Sequence, residues 1–160
     1  MSVNLSATAL ADPALDDEIA RLLHVAQIDP QRLTLEITET VAIDNMHTAI
    51  ARIQGLRNLG CRFALDDFGS GFASYAYLKQ LPVEAVKIDG SFIRDLDKNV
   101  EDRIFVKAVT EMAHATDKQV IAEFVESEAI LKVLQELGVD YAQGYFIGRP
   151  VPEPPAGFGL

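Results

Sequence analysis

Polar and charged residues recur at the ends of short apolar runs along this 160-residue chain. The set comprises Glu36, the pair Asp66 and Asp67, Lys87, Glu123 and Gln143, with intervals of 30, 21, 36 and 20 residues. Such intervals are about the length of one strand, one helix and two loops, so they predict parallel strands that carry these residues at one end. A (β/α) barrel builds its active site in this way.

The pattern predicts an α/β protein with six β-runs that start near Val3, Leu33, Arg62, Val83, Gln119 and Tyr141. Helices are predicted from Asp12-Pro13, as N-cap and first turn, over residues 44–59, 72–81 and 100–115, and from the N-cap Ser127. Gly60 and Gly138 are expected to end the second and the last of these helices. We therefore expect a partial TIM-type (β/α) barrel of about six mostly parallel strands with surrounding helices. Because a closed barrel has eight strands in about 250 residues, two N-terminal strands are expected to be missing. Residues 1–152 would form this domain, and residues 153–160 a Pro/Gly-rich tail.

The composition constrains the kind of protein. Hydrophobic residues make up 49% of the chain and charged residues 24%, as in an ordinary globular domain. The formal charge of −10 argues against a general nucleic-acid-binding surface, because phosphate neutralisation needs clustered Lys and Arg. The single cysteine, Cys61, is expected in the core. No signal peptide or membrane span is predicted, which indicates a cytoplasmic location.

Five motifs occur in a fixed order: Leu35-Glu36-Ile37-Thr38-Glu39-Thr40, Asp66-Asp67-Phe68-Gly69-Ser70-Gly71, Val86-Lys87-Ile88-Asp89, Ala122-Glu123-Phe124-Val125-Glu126 and Gln143-Gly144-Tyr145. Their order and spacing resemble the EAL domain, the bacterial cyclic-di-GMP phosphodiesterase family. The resemblance covers essentially residues 3–152. Asn4 matches a strand asparagine of that family. Any one motif alone would be weak, but five in order are specific.

The resemblance implies hydrolysis of cyclic di-GMP to linear pGpG by two-metal catalysis, in bacterial second-messenger signalling. The two ions would be Mg²⁺ or Mn²⁺, which oxygen ligands suit. Asn4, Glu36 and Asp66 would hold the first ion, while Asp66 and Asp67 would hold the second. Lys87 and Glu123 would be the catalytic residues, with Lys87 near the water or phosphate and Glu123 as general base or second-ion ligand.

Four further residues would support the substrate or the loops by the same resemblance. Glu39 would anchor the loop after Asp67, through Ser70. Gln143 would add a neutral hydrogen-bonding group to the site. Glu126 occupies the position of a glutamate in the family motif and would support the site from there. The implied partners are cyclic di-GMP, a second copy in a homodimer or a completing partner chain, and an upstream sensory or GGDEF-type domain. The chain is not expected to bind DNA.

Two departures from the family pattern stand out. The glutamate of the Glu-Ala-Leu signature lies upstream of Asn4 in the family and does not occur here, so one metal ligand is expected to be missing. We therefore expect weak or no hydrolysis by the isolated chain. Phe124 stands where the commonest family pattern has glycine, and its bulk is expected to reshape the pocket wall.

Two other functions remain open. The first is a non-catalytic module that binds cyclic di-GMP or dimerises, although the retained acidic residues disfavour it. The second is proton abstraction beside a metal-bound carboxylate, in the manner of enolases, which acidic strand ends and Lys87 would also suit. The tandem Asp66-Asp67 and the Phe-Gly-Ser-Gly turn after it argue against the second function.

Overall fold

Strands and helices alternate through the computed structural model, which describes residues 1–44, 46–71 and 75–151. Six strands lie in these ranges: β1 (Ser2–Asn4), β2 (Thr34–Thr38), β3 (Arg62–Phe68), β4 (Ala85–Ile88), β5 (Gln119–Ala122) and β6 (Tyr141–Ala142). The helices of the same ranges are α1 (Ala7–Ala11), α2 (Leu15–Ala26), α3 (Glu39–Asp44), α4 (Met46–Asn58), α5 (Tyr75–Gln80), α6 (Val100–His114) and α7 (Glu128–Glu136). Each predicted β-run therefore contains a strand.

The six strands form one parallel sheet in the order β1-β2-β3-β4-β5-β6. Sequential order with a helical crossover at every step is the topology of a TIM-type (β/α) barrel. This confirms the predicted fold class. The register aligns Asn4 with Glu36 and Thr38 with Asp66, which brings the carboxyl ends of the strands to a common rim.

The core lies on both faces of the central strands. Phe63, Ala64 and Leu65 are successive residues of β3, and each is at most 1% exposed. Because successive strand residues point to opposite faces, both sides of this sheet are covered. Cys61 is 3% exposed and joins this core, as predicted.

Helix boundaries differ from prediction at two places. Asp12 and Pro13 do not form the first turn of α2; Asp12 ends α1, and its carboxylate accepts a hydrogen bond from the Ala14 N–H. Ser6 caps α1 and so makes a short helix that periodicity did not indicate. The predicted helix over 44–59 corresponds to α4, and α3 is a further short helix before it that was not predicted.

Three helix ends follow the predicted chemistry. Ser127 caps α7 by accepting from the Ile130 N–H, and Gly138 follows that helix with a φ of 78°. Gly60 follows α4 with a φ of 103°, in the left-handed region that glycine enters at little cost. Residues 72–74 of the predicted third helix, over 72–81, and the predicted tail from 153 onward lie outside the described residues. Among the described residues, no helix has the length and apolar character needed to cross a bilayer.

Candidate active site at the carboxyl rim of the sheet

The predicted strand-end residues meet at one rim. Glu36 lies in β2, Asp66 and Asp67 lie near the end of β3, Lys87 lies in β4, and Glu123 directly follows β5. All five lie between the middle and the carboxyl end of neighbouring parallel strands, or just past that end, which agrees with their spacing. Burial is high for such polar groups, since Glu36, Asp66 and Lys87 are each at most 9% exposed.

Lys87 lies at the centre of the group. Its Nζ is 2.8 Å from Glu36 Oε2, 3.0 Å from Asp66 Oδ1 and 2.9 Å from Glu123 Oε1. An ammonium has three N–H donors, so one carboxylate can take each of them. We call these four residues the Lys87 cluster.

Burial and ion pairing shift the pKa of Lys87 in opposite directions. Desolvation lowers the pKa of Lys87, but hydrogen bonds to Glu36, Glu123 and Asp66 outweigh it, so the pKa is raised above its ordinary value. Desolvation raises the pKa of Glu123, and the neighbouring Asp66 and Glu36 charges add to this, while Lys87 opposes it. The net pKa of Glu123 is raised, which brings this carboxylate closer to a base that works near neutral pH.

Asp67 turns back toward the rim because its backbone leaves the extended conformation. Its φ is 54°, and its N–H donates to Asp66 Oδ1 over 3.0 Å. Burial raises the pKa of Asp67, and the charges of Asp66 and Asp89 raise it further, against a lowering by Lys87. Two adjacent strand residues can therefore face one site only through this left-handed turn.

Three carboxylates of the rim have the geometry of a cation site. Asp66, Asp67 and Glu123 each offer an oxygen, and these oxygens lie within 4.8 Å of one another. An all-oxygen donor set suits a hard divalent ion such as Mg²⁺ or Mn²⁺. The residues present therefore fit a divalent ion between β3 and β5.

A glutamate at the start of α3 holds the loop after β3 in place. Glu39 begins α3, is 1% exposed, and its Oε2 accepts from the Gly69 N–H over 2.8 Å. The predicted anchoring of this loop by Glu39 thus runs through Gly69, the residue before the Ser70 that we expected. The Ser70 hydroxyl donates instead to the Asp67 carbonyl over 2.8 Å.

The remaining predicted site residues lie beside the Lys87 cluster. Asn4 is aligned with Glu36 but exposed, and its side chain makes no hydrogen bond within the described ranges. Glu126 and Gln143 line a cavity that also includes Glu123. Their roles as ligand, substrate contact and loop support stay predictions.

Two features of the rim were not predicted from the sequence. Asp89 follows β4 and lies close enough to raise the pKa of Asp67; its position two residues after Lys87 was an available signal. Phe124 has a φ of 55°, and the Arg94 guanidinium lies 4.5 Å from the centre of its ring. No sequence pattern links Arg94 to Phe124, which lie 30 positions apart.

Comparison with protein families gives one match along nearly the whole chain. The model of the EAL domain matches residues 1–150. Cyclic di-GMP phosphodiesterase PdeB of Shewanella oneidensis is 46% identical over 152 residues, which are 95% of this chain and 18% of that protein. Cyclic di-GMP phosphodiesterase PdeF of Escherichia coli is 42% identical over 151 residues, 94% of this chain and 20% of that protein. The chain thus spans about a fifth of the curated relatives it matches.

Solved structures share the fold at similar coverage. The PaMucR phosphodiesterase in complex with c-di-GMP superposes with a TM-score of 0.90 at 35% identity, over 94% of this chain and 61% of that chain. The FimX EAL domain of Pseudomonas aeruginosa bound to c-di-GMP superposes with a TM-score of 0.87 at 36% identity, over 93% and 61% respectively. The chain spans about three fifths of these solved chains.

Proposed function

We propose, from the premise that this chain belongs to the EAL domain family, that it hydrolyses cyclic di-GMP to the linear dinucleotide with the help of divalent cations. Relatives that match nearly its whole length are named cyclic di-GMP phosphodiesterases. Two solved domains of the same fold were determined with c-di-GMP. The carboxyl rim is the place at which this chemistry would occur.

One observation carries the proposal, namely the convergence of carboxylates around a buried lysine. Asp66 and Glu123 each contact Lys87 and also offer oxygens to a common point with Asp67. Opening a phosphodiester requires an activated water, neutralisation of phosphate charge and stabilisation of the leaving oxygen. Divalent cations bound by these carboxylates would neutralise the phosphate charge and lower the pKa of the attacking water.

The residues of the chain have separate tasks in this proposal. Asp66, Asp67 and Glu36 would hold the ions, and Asn4 would contribute from the neighbouring strand. Glu123, with its raised pKa, accepts the proton of the attacking water or ligates the second ion. Lys87 holds three of the carboxylates in place and provides a positive charge near the phosphate.

The activity is tested by incubating the purified chain with cyclic di-GMP and Mg²⁺ or Mn²⁺ and measuring linear pGpG by chromatography. We expect ion-dependent product at a low rate, because the Glu-Ala-Leu signature is not among the 160 residues. Glu123→Gln should reduce the rate by about 100-fold or more. Glu128→Gln, on the exposed face of α7, is the matched control and should leave the rate of pGpG formation unchanged.

Binding measurements separate this function from the non-catalytic alternative. Binding of cyclic di-GMP with Ca²⁺ but no product with Mg²⁺ or Mn²⁺ would favour a binding module. A folded chain that neither binds nor hydrolyses the dinucleotide would refute both.

The expected assembly and location stand as further proposals. We propose a cytoplasmic protein in which a second chain covers the outer edges of β1 and β6. Val3 on β1 is 41% exposed and Tyr141 on β6 is 53% exposed, and exposed apolar side chains on open edge strands support a partner at both edges.

A further inference from the structure

We propose that the ammonium of Lys87 takes the place of divalent ions among the rim carboxylates in the ion-free chain, and that it leaves these carboxylates when the ions bind. This inference goes beyond the proposed function, but it rests on the ion binding that the function requires. It assigns two positions to one side chain, the first among the carboxylates and the second toward the phosphate of a ligand.

The ammonium and a divalent ion would bind the same side chains. Asp66 and Glu123 contact the Lys87 Nζ at 3.0 and 2.9 Å, and the same two residues offer oxygens to the cation site that they form with Asp67. The third partner, Glu36, lies 2.8 Å from the Lys87 Nζ and is an ion ligand in the proposed function. Each of the three carboxylates in the Lys87 cluster is therefore claimed by both kinds of cation.

Burial makes this overlap costly. The side chains of the Lys87 cluster are between 6% and 16% exposed, so water screens the charges between them only weakly. Two like charges repel each other several times more strongly in such surroundings than in bulk water. Lys87 therefore opposes the binding of a divalent ion for as long as its ammonium stays between the carboxylates.

The charges of the rim favour an exchange of cations. The rim carboxylates of the proposed function are Glu36, Asp66, Asp67 and Glu123. In the ion-free chain, the ammonium of Lys87 is shared by three of them. Two divalent ions bring four positive charges, which balance all four carboxylates without an ammonium. The charge of Lys87 is then free to meet an anionic phosphate.

The lysine side chain can change partners while the sheet stays as it is. Lys87 lies within β4, where its backbone is in register with Ile121 of β5. Its ammonium is carried on a flexible four-carbon stem, so the charged end can turn without a shift of the strand. The exchange reconciles the two tasks of Lys87 in the proposed function, because it holds the carboxylates before the ions bind and meets the phosphate afterwards.

Calorimetric titration with Mn²⁺ tests the competition. Lys87→Met should bind Mn²⁺ about tenfold more tightly than the unsubstituted chain, because the ion no longer displaces an ammonium. Lys132→Met is the matched control, since Lys132 pairs with Glu128 on the exposed face of α7, and it should leave the Mn²⁺ affinity unchanged. Equal or weaker Mn²⁺ binding by folded Lys87→Met would overturn the inference.

Nitrogen-15 NMR of the lysine ammonium groups tests the exchange in the unsubstituted chain, and so does not depend on the folding of Lys87→Met. The buried lysines of the described residues are Lys87 and Lys118, at 5% and 8% exposed, and buried protons exchange slowly with water. Saturating Mg²⁺ should shift the Lys87 signal and speed its proton exchange. Lys118, which donates to the Thr116 carbonyl before β5 begins, is the internal control, and Lys118→Arg identifies its signal. A Lys87 signal that Mg²⁺ leaves unchanged would contradict the exchange.

The outcomes distinguish this inference from the proposed function. If the unsubstituted chain binds Mn²⁺ and hydrolyses cyclic di-GMP while Lys87 keeps its three carboxylates, the exchange is wrong and the proposed function stands. If the folded, unsubstituted chain binds neither Mn²⁺ nor Mg²⁺, the ion-dependent function fails and the inference fails with it.

Discussion

At the scale of single residues, Lys87 sets the charge balance of the site. Its ammonium is shared by three carboxylates within 3.0 Å, and the four side chains are between 6% and 16% exposed. Groups this buried are poorly hydrated, so each depends on the others for stabilisation. Removal of the single cation leaves three like charges together.

Lys87→Met should therefore destabilise the metal-free chain strongly. We expect a loss of about 3–5 kcal/mol in the free energy of unfolding, the usual cost of removing one partner from a buried ion pair. Urea denaturation measures it. Lys132→Met breaks an exposed pair with Glu128 and should cost less than about 0.5 kcal/mol. Equal effects of the two substitutions would show that the Lys87 cluster is hydrated in solution.

Asp67 provides a pH-dependent prediction. Its pKa is raised by burial and by Asp66 and Asp89, so the folded state binds this proton more tightly than the unfolded state does. The ionised carboxylate therefore opposes folding above the raised pKa, and this opposition disappears as pH falls through that value. Asp67→Asn should raise the Tm at neutral pH without divalent ions, with a gain that shrinks toward acid pH.

The control for Asp67→Asn separates charge from backbone preference. Asparagine tolerates the left-handed region, and Asp117, with a φ of 56°, lies in the same region as Asp67. Asp117→Asn should change the Tm by an amount that does not follow the pH profile of Asp67→Asn. Calorimetric titration should also show that Asp67→Asn weakens Mn²⁺ binding, whereas Asp117→Asn does not. Identical pH profiles for both substitutions would contradict the assignment.

At the scale of elements, the loop after β3 is held between α3 and a pair of stacked rings. Glu39 of α3 accepts from the Gly69 N–H, and the rings of Phe92 and Phe105 stack with centres 4.0 Å apart. A Cβ on Gly69 would lie 2.6 Å from Phe105 and 2.8 Å from Phe92. Glycine is therefore needed here for space as well as for its φ of 102°.

Gly69→Ala should destabilise the chain and misplace Asp67. We expect a loss of about 2–4 kcal/mol, since overpacking adds to the cost of the left-handed backbone. Gly138→Ala is the matched control, because Gly138 has a φ of 78° but a Cβ there would meet no described atom within 4 Å beyond its chain neighbours. It should cost only about 1 kcal/mol. Ion titrations should show weaker Mn²⁺ binding for Gly69→Ala but not for Gly138→Ala. If both substitutions lowered the free energy of unfolding equally, contact with the two rings would be unimportant.

At the scale of the whole molecule, the formal charge of −10 opposes the approach of an anionic dinucleotide. Long-range repulsion weakens as salt shortens the Debye length, to about 8 Å at physiological ionic strength. The association rate constant for cyclic di-GMP at fixed Ca²⁺ should therefore rise between about 0.02 and 0.15 M salt. Stopped-flow fluorescence with a labelled dinucleotide measures it. A falling rate constant would show that local positive groups dominate the encounter.

The sequence alone determined the order of the strands and the rim at which the polar residues lie. A repeat of strand and helix allows few arrangements, and parallel strands end on the same side, so Glu36, Asp66, Lys87 and Glu123 could be grouped without coordinates. Local signals also predicted the cap at Ser127 and the glycine after α7. They failed at α1 and α3, which are short and carry little periodic signal.

Only the tertiary structure decided which side chains touch. The contacts that build the site join residues 21–51 positions apart in the sequence. They are the three contacts of Lys87, the hydrogen bond from Gly69 to Glu39 and the packing of Phe124 over Gly90. Side-chain direction at a strand end follows from where the backbone leaves the sheet and from what packs against it. Both the path of the backbone and its packing are fixed by contacts between distant segments, so a local pattern of residue types cannot predict them.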